Sequence, residues 1–215
     1  MIWFILGISL IIFLIIRFRK IKIKWKTLFK KGFKVDKSRY GVYCYCGKQG
    51  SGKTYSVVEF LKHNQDMEIH SNIKSLKNIK YNYFTGFDNL LKLKDKKNCI
   101  IVYDEIFTAL TKSSKMTSEV LDFLSQMRKR KIIFLTTAQE WLEINITLRR
   151  YCRYQIECNI LFWFLIKRIY DAEQLKWNVE ENEYIAPLIE LTLSKLNLET
   201  AKSYDTFEQI ETKNS

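Results

Sequence analysis

The sequence predicts an α/β fold in which a mainly parallel β-sheet is flanked by helices. Three observations support this prediction. A glycine-rich loop at 47–54 lies between a strand-like segment and a helix-like segment. A second apolar segment, beginning at Cys99, ends in two carboxylates, and a third, 132–139, follows an amphipathic segment at 117–131. Strands that alternate with helices in this way are typical of a parallel sheet.

The glycine-rich loop matches the phosphate-binding pattern G-x-x-x-x-G-K-[ST] and reads Gly47-Lys48-Gln49-Gly50-Ser51-Gly52-Lys53-Thr54. Its glycines allow backbone N–H groups to turn inward on a polyphosphate, and the following helix adds the partial positive charge of its N-terminus. All eight residues are therefore candidate ligands of ATP. We expect Lys53 to reach the β- and γ-phosphates and Thr54 to bind Mg²⁺.

The acidic pair Asp104-Glu105 follows the apolar run Cys-Ile-Ile-Val-Tyr at 99–103. This is the form of a Walker B strand, which predicts that Asp104 contacts Mg²⁺ or its bound water and that Glu105 takes a proton from the attacking water. The two motifs are expected on neighbouring strands of the sheet.

Further candidate catalytic residues lie at the end of the third strand and on either side of it. Gln139 ends this strand and is a candidate to sense the γ-phosphate or to orient water. Arg149 is a candidate to complete the active site of a neighbouring subunit, with Arg128, Arg130 and Arg150 as rivals. Exposed, solvated cations are the alternative interpretation for all four arginines.

Residues 1–16 contain no charged side chain and are followed by Arg17 and Arg19. As a helix they would span about 24 Å, somewhat short of the roughly 30 Å hydrocarbon core. A cleavable signal peptide would need positive charge before the apolar run, and here the order is reversed. The sequence therefore predicts an anchor at 1–17 in the host inner membrane, single-pass, with the N-terminus outside and the ATPase domain in the cytoplasm.

A basic segment follows at 18–38. Residues 17–39 contain eleven of the 36 Lys and Arg residues and a single acidic residue, Asp36. Its central part, 20–34, interleaves cations with Ile, Trp, Leu and Phe. Contact with anionic lipid and contact with DNA are both consistent with this composition.

The remaining chain is predicted to contain one ATPase domain at 39–188 and a polar tail at 189–215. The continuously apolar run 160–166 is interpreted as a buried strand at the edge of the sheet, because seven residues are too few to span a bilayer. The five cysteines have no zinc-ligand spacing. Three of them, Cys44, Cys46 and Cys99, fall in the two predicted central strands, as is typical of small buried residues in a reducing compartment.

Four features in order, including Ser71-Asn-Ile73 and Thr136-Thr-Ala-Gln139 besides the loop and the acidic pair, resemble the zonula occludens toxin family. That family includes the gene I assembly proteins of filamentous phages and belongs to the FtsK/HerA group of DNA-translocating ATPases. The resemblance covers about 39–155. It implies a ring of identical subunits that acts on phage DNA together with coat or assembly proteins.

The order of segments departs from this family, because the hydrophobic segment here comes first instead of following the ATPase domain. A genome-packaging ATPase of the same group is therefore the alternative function. Two alternatives of another class remain: a P-loop kinase, which would need a lid and an acceptor site, and a non-catalytic membrane scaffold.

Overall fold

A computed structural model describes residues 7–9, 22–23, 40–111, 113, 115–179 and 182–205. Within these ranges, nine strands form one sheet and two more form a separate hairpin. The strands are β1 Lys22–Ile23, β2 Gly41–Cys46, β3 Glu68–Ser71, β4 Asn82–Tyr83, β5 Cys99–Tyr103, β6 Ile133–Ala138, β7 Cys152–Leu161, β8 Phe164–Asp171, β9 Lys176–Asn178, β10 Glu183–Ile185 and β11 Leu188–Lys195. The helices are α1 Lys53–His63, α2 Phe87–Lys92, α3 Ser118–Gln126, α4 Ile146–Tyr151 and α5 Leu198–Ala201.

The large sheet has the order β1-β11-β8-β7-β2-β6-β5-β3-β4. The six strands from β7 to β4 are all parallel, whereas β8 is antiparallel to both β7 and β11. The predicted α/β fold with a mainly parallel sheet is therefore confirmed.

The expectation that β2 and β5 are neighbours was wrong, because β6 lies between them and pairs with both. The carboxyl ends of parallel strands nevertheless lie at the same edge of a sheet, so the two motifs still face one another there. Strand β6, which lies between them, ends at the same edge and is followed there by Gln139.

Helices cover both faces of the sheet. Alternate residues of β2 point to opposite faces and therefore contact different helices. Tyr43 and Tyr45 pack with apolar residues of α1, while Val42 and Cys44 pack with those of α2, α3 and α4. All five cysteines are buried and free. The Thr117 side chain caps α3 by accepting the Val120 N–H.

The C-terminal part of the chain differs from the expected polar tail. Strand β11 pairs with β8 along most of its length, so the sheet continues beyond the predicted domain boundary at 188. Residues 160–166 do not form one buried strand. They comprise the end of β7, a two-residue turn at 162–163 and the start of β8, and the two strands pair up to Leu161 and Phe164.

The prediction of a single-pass protein of the host inner membrane was wrong: in the part of the chain that the structure describes, every helix is too short or too polar to cross a bilayer. Of the predicted anchor at 1–17, only the helical residues 7–9 are described. Of the basic segment 18–38, only Lys22–Ile23 is described, as a short strand parallel to β11. The remaining residues of both segments lie outside the described ranges.

Candidate nucleotide-binding site

The glycine-rich loop connects β2 to α1 at the carboxyl edge of the sheet. Its geometry depends on glycine at two positions in particular. A Cβ on Gly47 would lie 2.6 Å from the carbonyl oxygen of Cys158 on β7, closer than any side chain tolerates. Gly52 has a φ of 90° at the N-cap of α1, a left-handed conformation that other residues adopt only with strain. The loop is thus packed tightly against β7 while its backbone turns into the helix.

Hydrogen bonds fix the start of the loop to the end of β6. The N–H of Gly47 donates to the carbonyl oxygens of Ala138, at 3.3 Å, and Gln139, at 3.1 Å. The bond from Gly47 places Gln139 beside the loop, as expected for a polar residue at the end of this strand, and Gln139 is exposed. Its role in sensing phosphate or orienting water remains a prediction.

Lys53 is the first residue of α1 and is half-buried. Its Nζ donates to the carbonyl oxygens of Gly47, at 2.7 Å, and Lys48, at 3.1 Å. The ammonium group is therefore held across the loop whose backbone would surround a phosphate. An eleven-residue helix that begins at this point also directs its free N–H groups and its positive dipole end toward the same space.

The structure brings Thr54 and Asp104 together, although they are 50 positions apart in the sequence. The Thr54 hydroxyl donates to Oδ2 of Asp104 at 3.1 Å. A hydroxyl and a carboxylate at this separation are the hard oxygen donors that Mg²⁺ prefers. The two residues therefore fit the predicted magnesium site.

Asp104 is almost completely buried, with 4% of the surface of the residue exposed. Burial raises the pKa of Asp104, and the nearby Glu105 acts in the same direction. Hydrogen bonds from Thr137 and Thr54 and the charge of Lys53 oppose this rise. The site thus keeps a carboxylate in a desolvated position, where a cation would stabilise its charged form.

Glu105 has a left-handed backbone conformation, with φ 59° and ψ 47°. Such a conformation is unusual for a residue other than glycine or asparagine and persists only where neighbours hold it. Here the Glu105 N–H donates to Oγ1 of Thr137 at 2.8 Å. The half-buried Glu105 is therefore turned away from the direction of β5 at the carboxyl edge of the sheet.

Two residues that were not predicted from the sequence position the acidic pair. Thr137, on β6, accepts the Glu105 N–H and donates its own hydroxyl proton to Oδ1 of Asp104. Asn72, directly after β3, binds the backbone of Asp104 on the other side. Both residues lie in segments that resemble the zonula occludens toxin family, but neither was a candidate site residue. The available signal was a polar side chain at the end of an apolar parallel strand.

Arg149 is not brought to this site in its own subunit. It lies on α4, just before β7, and β7 begins opposite Val42 at the far edge of the sheet. Only 7% of its surface is exposed, and its guanidinium lies 6.0 Å from the centre of the Trp141 ring. Arg149 is thus a buried cation, not the solvated one that the alternative interpretation expected.

Two of the rival arginines are engaged on the same far edge. Arg128 forms an ion pair with Glu173, and Arg130 donates to the carbonyl oxygen of Lys94. Both precede β6, whose first residue pairs with the start of β2. A role for any of these arginines in the nucleotide site of a neighbouring subunit remains a prediction.

The fold and the convergence of the loop with the acidic pair define a P-loop ATPase. The sequence pattern of the AAA family, "ATPase family associated with various cellular activities", matches residues 43–161, which is more than half of the chain. The protein therefore belongs to the AAA family and is an ATP hydrolase that binds ATP.

Solved structures share the fold at low sequence identity. The N-terminal domain of zonular occludens toxin from Neisseria meningitidis is 16% identical, with a TM-score of 0.56 over 78% of this chain and 100% of that domain. The genome packaging NTPase B204 from Sulfolobus turreted icosahedral virus 2, in complex with ATP-gammaS, is 11% identical, with a TM-score of 0.50 over 71% of this chain and 98% of that one. The resemblance to the zonula occludens toxin group that the sequence predicted is thus confirmed at the level of the fold. No curated protein matches this sequence.

Proposed function

We propose that the protein uses ATP hydrolysis to move DNA in the export and assembly of a phage virion. The observation that carries this proposal is the convergence of Lys53, Thr54 and the acidic pair at one edge of the sheet. The fold shared with a zonular occludens toxin domain supports the choice of DNA export. Viral genome packaging is the second candidate, supported by the fold shared with B204.

The proposed chemistry assigns one task to each group at the site. Backbone N–H groups of the loop bind the phosphates of ATP, and Lys53 exchanges its carbonyl partners for phosphate oxygens. Thr54 and Asp104 would hold Mg²⁺, which when bound neutralises charge on the phosphate oxygens. Glu105 accepts a proton from the water that attacks the γ-phosphate, and Gln139 orients this water.

The proposal includes a homo-oligomeric ring, in which several subunits would act on the DNA in turn. Arg149 would contact the nucleotide of a neighbouring subunit only if its guanidinium moved away from the Trp141 ring during assembly. Light scattering with and without a non-hydrolysable ATP analogue tests the oligomer: a defined ring is expected with nucleotide, and a monomer under all conditions contradicts this part of the proposal. Coat or assembly proteins of the virion are the proposed further partners.

Phosphate release with no DNA, with single-stranded DNA and with duplex DNA tests the proposed function. We expect DNA to stimulate the wild-type rate and Lys53→Ala to abolish turnover. Lys62→Ala, on the same helix but bonded to the carbonyl oxygen of Glu199, is the matched control and should retain activity. Full turnover by Lys53→Ala would refute the assigned site, whereas turnover that no DNA stimulates would refute DNA transport alone.

A further inference from the structure

The connection between β7 and β8 exposes four consecutive apolar residues. The exposed fractions are 55% for Leu161, 83% for Phe162, 74% for Trp163 and 40% for Phe164. Large apolar side chains grouped in this way on a surface usually mark an interaction site. We call residues 161–164 the aromatic tip.

The backbone of the aromatic tip is held in an unfavourable conformation. Leu161 and Phe164 pair directly, so the turn consists of Phe162 and Trp163 alone. Phe162 has a φ of +53°, where glycine or asparagine is usually found in such turns. The carbonyl oxygen of Trp163 accepts the Leu196 N–H at 2.9 Å, which fixes the turn to the chain after β11. The chain thus keeps bulky aromatic residues where stability alone would favour small polar ones.

The aromatic tip stands beside the nucleotide-binding loop and extends past it. Strand β7 runs parallel to β2 and pairs Glu157 with Cys46, the last residue before the loop. From Glu157 the strand continues to Leu161, a further rise of roughly 13 Å at 3.3 Å per residue. The tip therefore projects from the carboxyl edge of the sheet, where ATP is expected to bind.

Direct contacts connect the hairpin to the loop and to α1. The side chains of Ile160 on β7 and Leu165 on β8 pack against Gly52 of the loop. Lys167 on β8 forms a buried ion pair with Glu59 on α1, at 3.1 Å. The hairpin that carries the aromatic tip is thus packed directly against the nucleotide-binding loop and α1.

We propose that the aromatic tip is a stacking platform for single-stranded DNA. Phe162 and Trp163 are 83% and 74% exposed, and stacking on unpaired bases requires aromatic rings that solvent can reach. Lys195 pairs with Phe164 across the β8–β11 ladder and is exposed, and Lys48 is exposed in the adjacent loop. These cations would contact the phosphates of a strand whose bases stack on the tip. The inference rests on the proposed DNA transport and names the element that contacts the strand.

The test compares two double variants that keep a large side chain at each position. Phe162→Leu with Trp163→Leu removes the rings but keeps apolar surface, whereas Phe162→Tyr with Trp163→Tyr keeps the rings. The probe is a fluorescein-labelled oligothymidine of about 30 nucleotides, long enough for several binding sites of this kind. Trp177→Ala is the matched control, because Trp177 is half-exposed on β9, outside the large sheet.

Fluorescence anisotropy should show binding weakened by about tenfold or more in the leucine variant and by no more than about threefold in the tyrosine and Trp177 variants. DNA-free ATP hydrolysis should be unchanged in all of them. Equal binding by the leucine variant and wild type overturns the inference, as does equal loss in the leucine and tyrosine variants. Loss of oligomers in the leucine variant without loss of DNA binding would identify a subunit contact and also overturn it.

The outcomes separate this inference from the proposed function. If DNA stimulates wild-type hydrolysis and the leucine variant responds equally well, DNA transport stands and the stacking platform is wrong. If neither single-stranded nor duplex DNA binds or stimulates the wild type, both fail.

Discussion

The Asn72 side chain forms hydrogen bonds with both the backbone N–H and the backbone carbonyl of Asp104. Its Oδ1 accepts the Asp104 N–H at 2.7 Å, and its Nδ2 donates to the Asp104 carbonyl oxygen at 3.1 Å. Asn72 is 2% exposed, so no water replaces these bonds. The amide of a neighbouring strand thus fixes the position from which the Asp104 carboxylate reaches Thr54.

Replacing Asn72 by Ala should leave two buried backbone groups without partners. We expect a loss of about 2–4 kcal/mol in the free energy of unfolding and a lower kcat for ATP hydrolysis. Urea denaturation and steady-state kinetics measure the two effects. Asn64→Ala is the control, because Asn64 is equally buried and its Nδ2 donates to the Phe60 carbonyl oxygen at the other end of α1. A similar fall in kcat for both variants would show that Asn72 acts through stability alone.

Replacing Thr137 by Val should remove the hydrogen bonds that hold Asp104 and Glu105 in position. Valine preserves shape but removes the hydroxyl that connects the Glu105 N–H to the Asp104 carboxylate. We expect kcat to fall about 10- to 100-fold, as when a catalytic group is misplaced by about 1 Å. Thr136→Val is the matched control, because the adjacent hydroxyl donates to the Tyr103 carbonyl oxygen and does not touch the pair. Equal kcat in wild type and Thr137→Val would contradict this role.

Replacing Glu105 by Gln should remove the general base while preserving size. We expect turnover to fall about 100-fold or more, with the affinity for a fluorescent ATP analogue nearly unchanged. Glu140→Gln, an exposed change near the same edge of the sheet, is the control. Turnover of Glu105→Gln close to wild type would mean that another group accepts the proton.

Replacing Asp104 by Asn should stabilise the nucleotide-free protein at neutral pH and abolish turnover. Burial raises the pKa of Asp104, so the folded state holds its proton more tightly than the unfolded chain does. This contribution to stability is fully present below the pKa of the unfolded carboxyl and is lost as the pH rises through the folded pKa. Asparagine has no proton to lose. Its amide oxygen can accept the Thr137 hydroxyl proton, and its NH2 group can donate to the Thr54 hydroxyl oxygen, which in the wild type donates to the carboxylate.

Thermal unfolding across a pH series measures this difference. The Tm of Asp104→Asn should approach that of wild type at acidic pH and exceed it increasingly as the pH rises to neutrality. Parallel pH curves for the two proteins would show that the buried carboxylate is not destabilising. Magnesium and ATP should raise the Tm of wild type more than that of the variant, which keeps the phosphate-binding loop but lacks one magnesium ligand.

Local patterns in the sequence determined the order of the elements, the loop between β2 and α1, and the acidic pair after β5. These features depend on neighbouring residues, such as the glycines needed for a left-handed backbone and the apolar run that forms a buried strand. The candidate ligands Lys53 and Thr54 could therefore be identified before the fold was known.

The tertiary structure decided which strand lies between the two motifs and which side chains hold the acidic pair. Asn72 and Thr137 are 32 and 33 positions from Asp104, and only the sheet register brings them within hydrogen-bonding distance. It also decided that Arg149 is buried and that residues 161–164 form an exposed turn instead of a buried strand. Burial of an apolar run is favourable, but whether the run is buried in the folded protein depends on the neighbours that the tertiary structure places against it.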